Sequence, residues 1–210
     1  MRERHAADTR RRITAAAMEL FAEHGFRATT VAAIAHGAEV AVPTVYATFG
    51  SKGAIMKALM TEFETAADVA EWDARIAAED DPVWKLRLFA QWSAHLFTTS
   101  RAVILAAADA TSDPAILELK TEGDRRRRDG VRELIASLAA ARALAPGLSR
   151  TRATDRAWAL SGLELYLATT VECRWSQASY ADWLGDLLVN QLLDDTYRSA
   201  SRTRPPASTG

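Results

Sequence analysis

The chain has a single cysteine, Cys173, so no internal disulfide can form and its 210 residues must hold together by packing. No uninterrupted apolar run approaches the roughly 20 residues that span a bilayer. The first residues, Met1 to Asp8, have no apolar stretch of the kind that directs secretion. A cytoplasmic protein with no membrane partner is expected. An excess of one charge sign is also missing: 26 basic residues face 27 acidic ones, a net charge of -1, so nothing global announces nucleic acid. His5, His24, His36 and His95 have no metal-ligand spacing, and Cys173 has no evident partner. Neither a Gly-rich phosphate loop nor a nucleophile elbow appears. These absences argue against an enzyme and predict neither cofactor nor metal. Alternating strand patterns and internal repeats are lacking as well, which leaves an all-α fold of about nine helices.

The charges that are present are spread unevenly. Residues 1–53 carry seven basic and five acidic side chains, or +2, which leaves -3 for the remainder. Asp8 or Thr9 can cap a first helix, with Ile13, Ala17, Leu20 and Phe21 at helical spacing and Gly25 as its stop. Arg10, Arg11 and Arg12 then fall in the first turn, where the macrodipole disfavours cations. That placement favours a nearby polyanion about as strongly as it favours a solvated charged turn.

Two short helices follow. Thr29 or Thr30 caps the first, which runs to about Gly37 or Ala38 and turns Val31 and Ile34 toward Phe21 and Phe26. The second spans Val42 to Phe49, with Pro43 tolerated in its first turn. Val45 and Phe49, four residues apart, face the core and leave Val42, Pro43, Thr44, Tyr46, Ala47 and Thr48 outside. Gly50 ends the helix, Ser51 caps a fourth, and Lys52 stands at the junction. A pair of this kind can lay its second helix across the major groove of double-stranded DNA. Thr30, Val42, Pro43, Thr44, Tyr46, Thr48 and Lys52 are the expected DNA contacts, with Tyr46 and Lys52 on phosphates.

At these positions the chain resembles the TetR/AcrR family of transcriptional regulators. The matching residues are Thr29-Thr30, Ile34-Ala35, Thr44-Val45-Tyr46, Phe49 and Lys52, within about residues 9–60. The family pattern has a glycine in the turn and a serine capping the third helix, where this chain has Glu39 and Ala41. An alanine cap forgoes about 1 kcal/mol of helix-start stabilisation. The reading face is unusually apolar, since only Thr44 and Thr48 offer hydrogen bonds to bases.

The resemblance implies that the rest of the chain, residues 53–198, is a helical domain that dimerises and holds a small-molecule effector. It divides the chain at residue 52 and leaves 199–210 as a disordered tail. Helices are expected over about 54–72, 84–97, 102–110, 114–138, 151–174 and 180–198. The last carries a broad stripe of Tyr180, Trp183, Leu184, Leu187, Leu188 and Leu192. Together with Leu165, that stripe is the expected homodimer interface (Leu192 excepted), in a two-fold four-helix bundle. Two heads set about one DNA turn apart would then read a palindromic operator.

The effector site is read from aromatic density: Phe63, Trp92, Leu96, Trp158 and Tyr166 as walls, with His95, Glu164 and Tyr166 as orienting groups. The simpler alternative is that these rings only fill a core. Arg125 to Arg128 point all round a helix, and the acids beside them favour solvated ion pairs over a nucleic-acid patch. The expectation is a ligand-responsive regulator, a repressor released by a largely apolar effector. Its rival is an all-helical interaction or scaffold protein that does not bind DNA.

Overall fold

The computed structural model describes residues 2–66, 68–110 and 114–200, and every regular element among them is helical. The order is α1 (Arg2–Ala28), α2 (Val31–Gly37), α3 (Val42–Phe49), α4 (Lys52–Ala66), α5 (Val69–Ala78), α6 (Pro82–Asp109), α7 (Pro114–Ala140), α8 (Arg150–Leu160), α9 (Leu163–Leu167), a π turn (Ala168–Glu172), α10 (Gln177–Leu192) and α11 (Asp195–Ala200). The expected tail at 199–210 and the cap signal at Ser112 and Asp113 fall outside the described residues, except for the end of α11. The chain forms two compact units. One holds the residues up to Asp68 together with Thr99–Arg125; the other holds Val69–Thr98 and the residues from Arg126 onward. Helices α6 and α7 therefore contribute to both.

Several boundaries differ from the expectation. Helix α1 begins at Arg2, six residues before Asp8, because Asp8 pairs along the helix with Arg11 at 2.5 Å and Arg12 at 3.6 Å instead of capping it. The three arginines are thus no longer in a first turn. The helix expected over 54–72 is two, α4 and α5, with Asp68 at φ 49°. No glycine or proline marks that break. Conversely, 84–97 and 102–110 are one helix, α6, and the Thr98 hydroxyl donates back to the Ala94 carbonyl at 2.7 Å within it. The segment 151–174 breaks at Ser161 and Gly162, and 180–198 breaks at Leu193 and Asp194.

The core of the first unit is made by Ile13, Ala17, Phe21 and Phe26 of α1, Ile34 and Ala35 of α2, Val45 of α3, and Ile55, Met56 and Leu59 of α4. Val103, Ala106 and Ala107 of α6 and Ile116 of α7 complete it. Burial of a side chain such as Ile34, at 0 % exposure, contributes about 1.5–3 kcal/mol. Because Ile55, Met56 and Leu59 share this core, the packing unit extends past Lys52.

Gly25 breaks the helical path with φ 79° and ψ 166°, as its position predicts. The buried Thr29 hydroxyl then donates to the carbonyls of Leu20 and Gly25 at 3.1 and 2.8 Å, satisfying acceptors that the helix end leaves open. Thr30, rather than Thr29, caps α2: its hydroxyl accepts the Ala33 amide at 3.1 Å.

In the second unit the buried side chains come from α6 (Leu86, Phe89, Trp92, Leu96, Phe97), α7 (Val131, Leu134, Ile135, Leu138) and α10 (Tyr180, Leu184, Leu188, Leu192). Tyr166 of α9 adds to them. Helices α6 and α10 approach closely at Gly185, where a Cβ would stand 3.3 Å from Arg87 Cγ and 3.7 Å from Ala90 Cβ. After α9, the Thr169 and Thr170 hydroxyls donate to the carbonyls of Leu165 and Tyr166 at 2.9 and 2.7 Å. The widened turn ends on Arg174, at φ 58°.

Candidate nucleic-acid interface and effector core

The turn between α2 and α3 is where the chain departs most from the family pattern, and its geometry is well defined. The Val40 amide donates to the Ala35 carbonyl at 2.9 Å and the Glu39 amide to the His36 carbonyl at 3.0 Å. This bond pair is a Schellman ending, which places its closing residue in the left-handed region. That residue is Glu39, at φ 53°. Glycine is the residue that takes this conformation without penalty, so Glu39 does the same job under strain. Gly37, two residues earlier, serves a different need: a Cβ there would meet Ala16 Cβ at 3.3 Å.

Helix α3 starts at Ala41 with no side-chain cap, as its sequence implies. Val45 anchors it at 2 % exposure, while Val42 at 37 % and Tyr46 at 51 % stand out from the surface. Pro43 and Ala47 are also exposed, and Thr44 and Thr48 are half-buried. The Thr48 hydroxyl donates to the Thr44 carbonyl at 2.7 Å and keeps only its acceptor side for other partners. Thr30, at the α2 cap, is exposed. Six of the seven expected DNA-contacting residues thus lie at or near the surface of one helix pair. An apolar Val42 and Tyr46 held in water is unusual for a structural role alone.

Lys52 is placed differently. Its ammonium donates to the carbonyls of Phe26 and Thr29 at 2.7 and 2.8 Å and lies 4.3 Å from the centre of the Phe26 ring. It therefore ties the start of α4 to the α1–α2 corner, and a phosphate role competes with those bonds. The arginines of α1 are engaged too: Arg10 lies over the Phe49 ring at 4.4 Å, and Arg12 donates to the Ala38 carbonyl at 3.2 Å. Sequence reasoning missed the first turns of α1. His5, Thr9 and Arg10 face Thr44, Ala47 and Thr48 across a groove of about 570 Å³. The signal for this was the helical continuation through Arg2 to Ala7, read there as lying before the first cap.

The expected effector residues divide. Trp92, Leu96 and Tyr166 are buried in the second unit, with Phe89 5.7 Å from Trp92 and Phe97 5.3 Å from Tyr166. The Tyr166 hydroxyl is 2.9 Å from Thr98 Oγ1. His95 is half-buried, its ring 5.8 Å from Trp72. Trp158 lies under Arg127 and Arg128, at 3.7 and 5.5 Å. Glu164 is exposed, and the side chain of Phe63 lies outside the described residues. The arginine run is less solvated than its sequence implies. Arg125 pairs locally with Glu122 at 2.7 Å, but Arg127 reaches the Ser161 carbonyl at 2.9 Å and Arg128 reaches Asp155 at 2.7 Å.

The stripe on α10 requires a correction. Tyr180, Leu184 and Leu188 have 0 % exposure within the single chain and retain no surface to give a partner. Their spacing reflects the chain's own core. Leu165, Trp183 and Leu187 remain half-buried, and beside them Trp175 and Val171 are 37 % and 43 % exposed. The Trp175 and Trp183 rings meet edge to face at 5.3 Å. Burial pushes the Tyr180 phenol well above its ordinary pKa; neighbouring Tyr166 adds to the shift and Arg127 opposes it.

A buried anchor stripe on α2 and α3, a Schellman turn between them and an exposed outer face on α3 define a helix-turn-helix. Residues 13–59 match the family model described as bacterial regulatory proteins, tetR family. The likeness to that family is carried by these residues, which span the two short helices and parts of the helices on either side of them.

No curated protein matches the chain in sequence. Its fold is similar to that of NalD, the secondary repressor of the MexAB-OprM multidrug efflux pump in Pseudomonas aeruginosa. That chain is 21 % identical, with coverage of 90 % of this chain and 98 % of the other and a TM-score of 0.73. The MbdR regulator from Azoarcus sp. CIB is 24 % identical over 88 % and 99 % of the two chains, with a TM-score of 0.71. A SmeT–triclosan complex is 19 % identical over 96 % and 97 %, also with a TM-score of 0.71. No helix among the described residues is long and apolar enough to cross a membrane.

Proposed function

We propose that the protein is a ligand-responsive repressor that binds a palindromic DNA operator as a homodimer and is released by a small, largely apolar effector. The observation that carries this reading is the outer face of α3, where Val42 and Tyr46 are solvent-exposed while Val45 is locked into the core behind them. Val42, Pro43 and Ala47 meet thymine methyls, Thr44 meets base edges, and Tyr46 and Thr30 meet phosphates. Pairing uses Leu165, Trp183 and Leu187, extended by Val171 and Trp175. Repression is carried over from NalD, described as a repressor, and binding of a small molecule from the SmeT–triclosan complex. An effector that binds the second unit better in the non-DNA geometry shifts the population away from operator-competent spacing.

Selection of bound duplexes from a random pool tests this directly. A palindromic consensus is expected, with half-sites about one helical turn apart. Tyr46→Ala should weaken binding to that consensus at least about tenfold, the equivalent of about 1.4 kcal/mol, at an unchanged melting temperature. Recovery of no enriched sequence, or unaltered affinity in the variant, would leave a helical interaction protein as the better account.

A further inference from the structure

The first two turns of α1 lie beside α3 and close one side of the groove of about 570 Å³ between them. Ala6 of α1 and Ala47 of α3 keep the groove open, Thr9 and Thr44 bring hydroxyls to it, and His5 and Arg10 bring nitrogen donors. No acidic side chain among the described residues lines it. Thr44 and Thr48 belong to the groove and to the outer part of α3 at once. The groove is therefore continuous with the surface that would read DNA.

A head that binds DNA needs cations able to meet phosphate, and several cations of the first unit are committed elsewhere. Lys52 donates to the Phe26 and Thr29 carbonyls, Arg12 donates to the Ala38 carbonyl, and Arg11 pairs with Asp8 at 2.5 Å. Arg10 differs. No carboxylate or carbonyl holds its guanidinium among the described residues, and it lies 4.4 Å from the centre of the Phe49 ring. Arg10 is exposed, and a cation over a ring in water is held weakly. The Thr9 and Thr44 hydroxyls have no hydrogen-bond partner among the described residues either.

We propose that a sugar–phosphate strand of the bound DNA lies in the groove between α1 and α3, with Arg10 as its phosphate anchor and His5 and Thr9 as neighbouring donors. The fit is chemical. Such a strand alternates a negative charge with a largely apolar sugar, and the groove alternates donors with the small surfaces of Ala6 and Ala47. The Arg10 guanidinium exchanges a ring for phosphate oxygens, which its fork of N–H groups can hold two at a time. These contacts carry no base information, so they set the register of the head and leave the reading to α3. The inference rests on the DNA-binding reading above and adds a second wall to its surface.

Fluorescence anisotropy on the full-length protein tests it, with the duplex enriched from a random pool and a scrambled duplex of equal length, each across a salt series. Arg10→Met keeps a stem over Phe49 and removes the charge. It should weaken binding of both duplexes about tenfold, the scale of one charge-assisted contact. The slope of log affinity against log salt should fall by about one per head, whereas Arg10→Lys should keep it. Ala6→Glu puts an acid into the groove without touching α3 and should weaken binding by more than about tenfold, with a smaller loss in Ala6→Gln. Ala15→Glu adds the same charge at an exposed position of α1 outside the groove and should cost less than about threefold. Wild-type affinity and slope in Arg10→Met, or equal losses in Ala6→Glu and Ala15→Glu, overturn the proposal and leave DNA binding standing. A loss confined to the enriched duplex also overturns it, because Arg10 would then be a base contact. Binding of neither duplex by the wild-type protein at low salt overturns the DNA-binding reading and this inference with it. Circular dichroism melts check that each variant is folded; the Ala6 and Ala15 comparison decides the matter if Arg10→Met is not.

Discussion

Lys52 is the residue at which two accounts of the head can be separated by measurement. The perturbation is Lys52→Met, which keeps most of the stem and removes the ammonium. That ammonium donates to the Phe26 and Thr29 carbonyls at 2.7 and 2.8 Å and sits 4.3 Å from the Phe26 ring. Hydrogen bonds to a charged group contribute about 1.5–3 kcal/mol each, and a cation over a ring about 0.5–1 kcal/mol at an exposed site. The three contacts share one ammonium that is only half-buried, and water can reach the freed carbonyls in part. Simple addition therefore overstates the loss, and about 2–3 kcal/mol is expected for the first unit. For a chain of this size that corresponds to a fall of about 4–12 °C in melting temperature, if the chain unfolds as one unit.

The assay must see the right half of the molecule. Trp72, Trp84, Trp92, Trp158, Trp175 and Trp183 all belong to the second unit, so tryptophan fluorescence reports on that unit alone. Far-ultraviolet circular dichroism reports on both. The Lys52→Met loss should therefore appear in the dichroism melt, and an earlier dichroism transition with an unshifted fluorescence transition would localise it. The salt dependence of DNA affinity supplies the second arm. If the ammonium stays on its carbonyls in the complex, the slope is that of the wild-type protein; loss of a phosphate contact would lower it by about one. An unchanged melt with a reduced slope would refute the structural role and restore Lys52 as a phosphate anchor.

The turn and the corner give two further tests. Glu39→Gly should stabilise the protein by about 1 kcal/mol, because it relieves a left-handed conformation at the cost of some unfolded-state entropy; a lower melting temperature would contradict the Schellman assignment. Thr29→Val removes a buried hydroxyl that donates to the Leu20 and Gly25 carbonyls, and should cost about 1–3 kcal/mol in a dichroism-monitored urea titration. Thr30→Ala, which loses only an exposed cap, should cost about 1 kcal/mol, so the reverse order of the two variants would be inconsistent with the corner as described.

Helix content and the reading helix were legible because their signals are local. Gly25 stops α1, Thr30 caps α2, Ser51 caps α4 with the Ala54 amide at 3.0 Å, and Val45 and Phe49 share a face at a spacing of four. Each is settled within a turn of the chain. Illegible breaks lacked such punctuation: Asp68 takes a left-handed conformation with no glycine or proline beside it. A threonine- and serine-rich stretch at 98–100 looked like an interruption but lies within α6. The residues before Asp8 were read as lying ahead of the first helix, yet His5, Ala6 and Ala7 belong to α1 and line the groove beside α3.

From the sequence alone came the all-helical class, the helix-turn-helix and the residues on its outer face, since hydrophobic periodicity and caps decide which side of a helix is buried. Tertiary structure alone decided what the buried side faces. Tyr180, Leu184 and Leu188 have the spacing of an interface, yet they are covered by their own chain. Lys52 has the position of a phosphate anchor, yet its ammonium is held by the carbonyls of Phe26 and Thr29, 26 and 23 residues away in sequence. Periodicity records that a stripe avoids water, and charge records that a side chain seeks a partner. Neither carries the identity of a partner that only folding brings within reach.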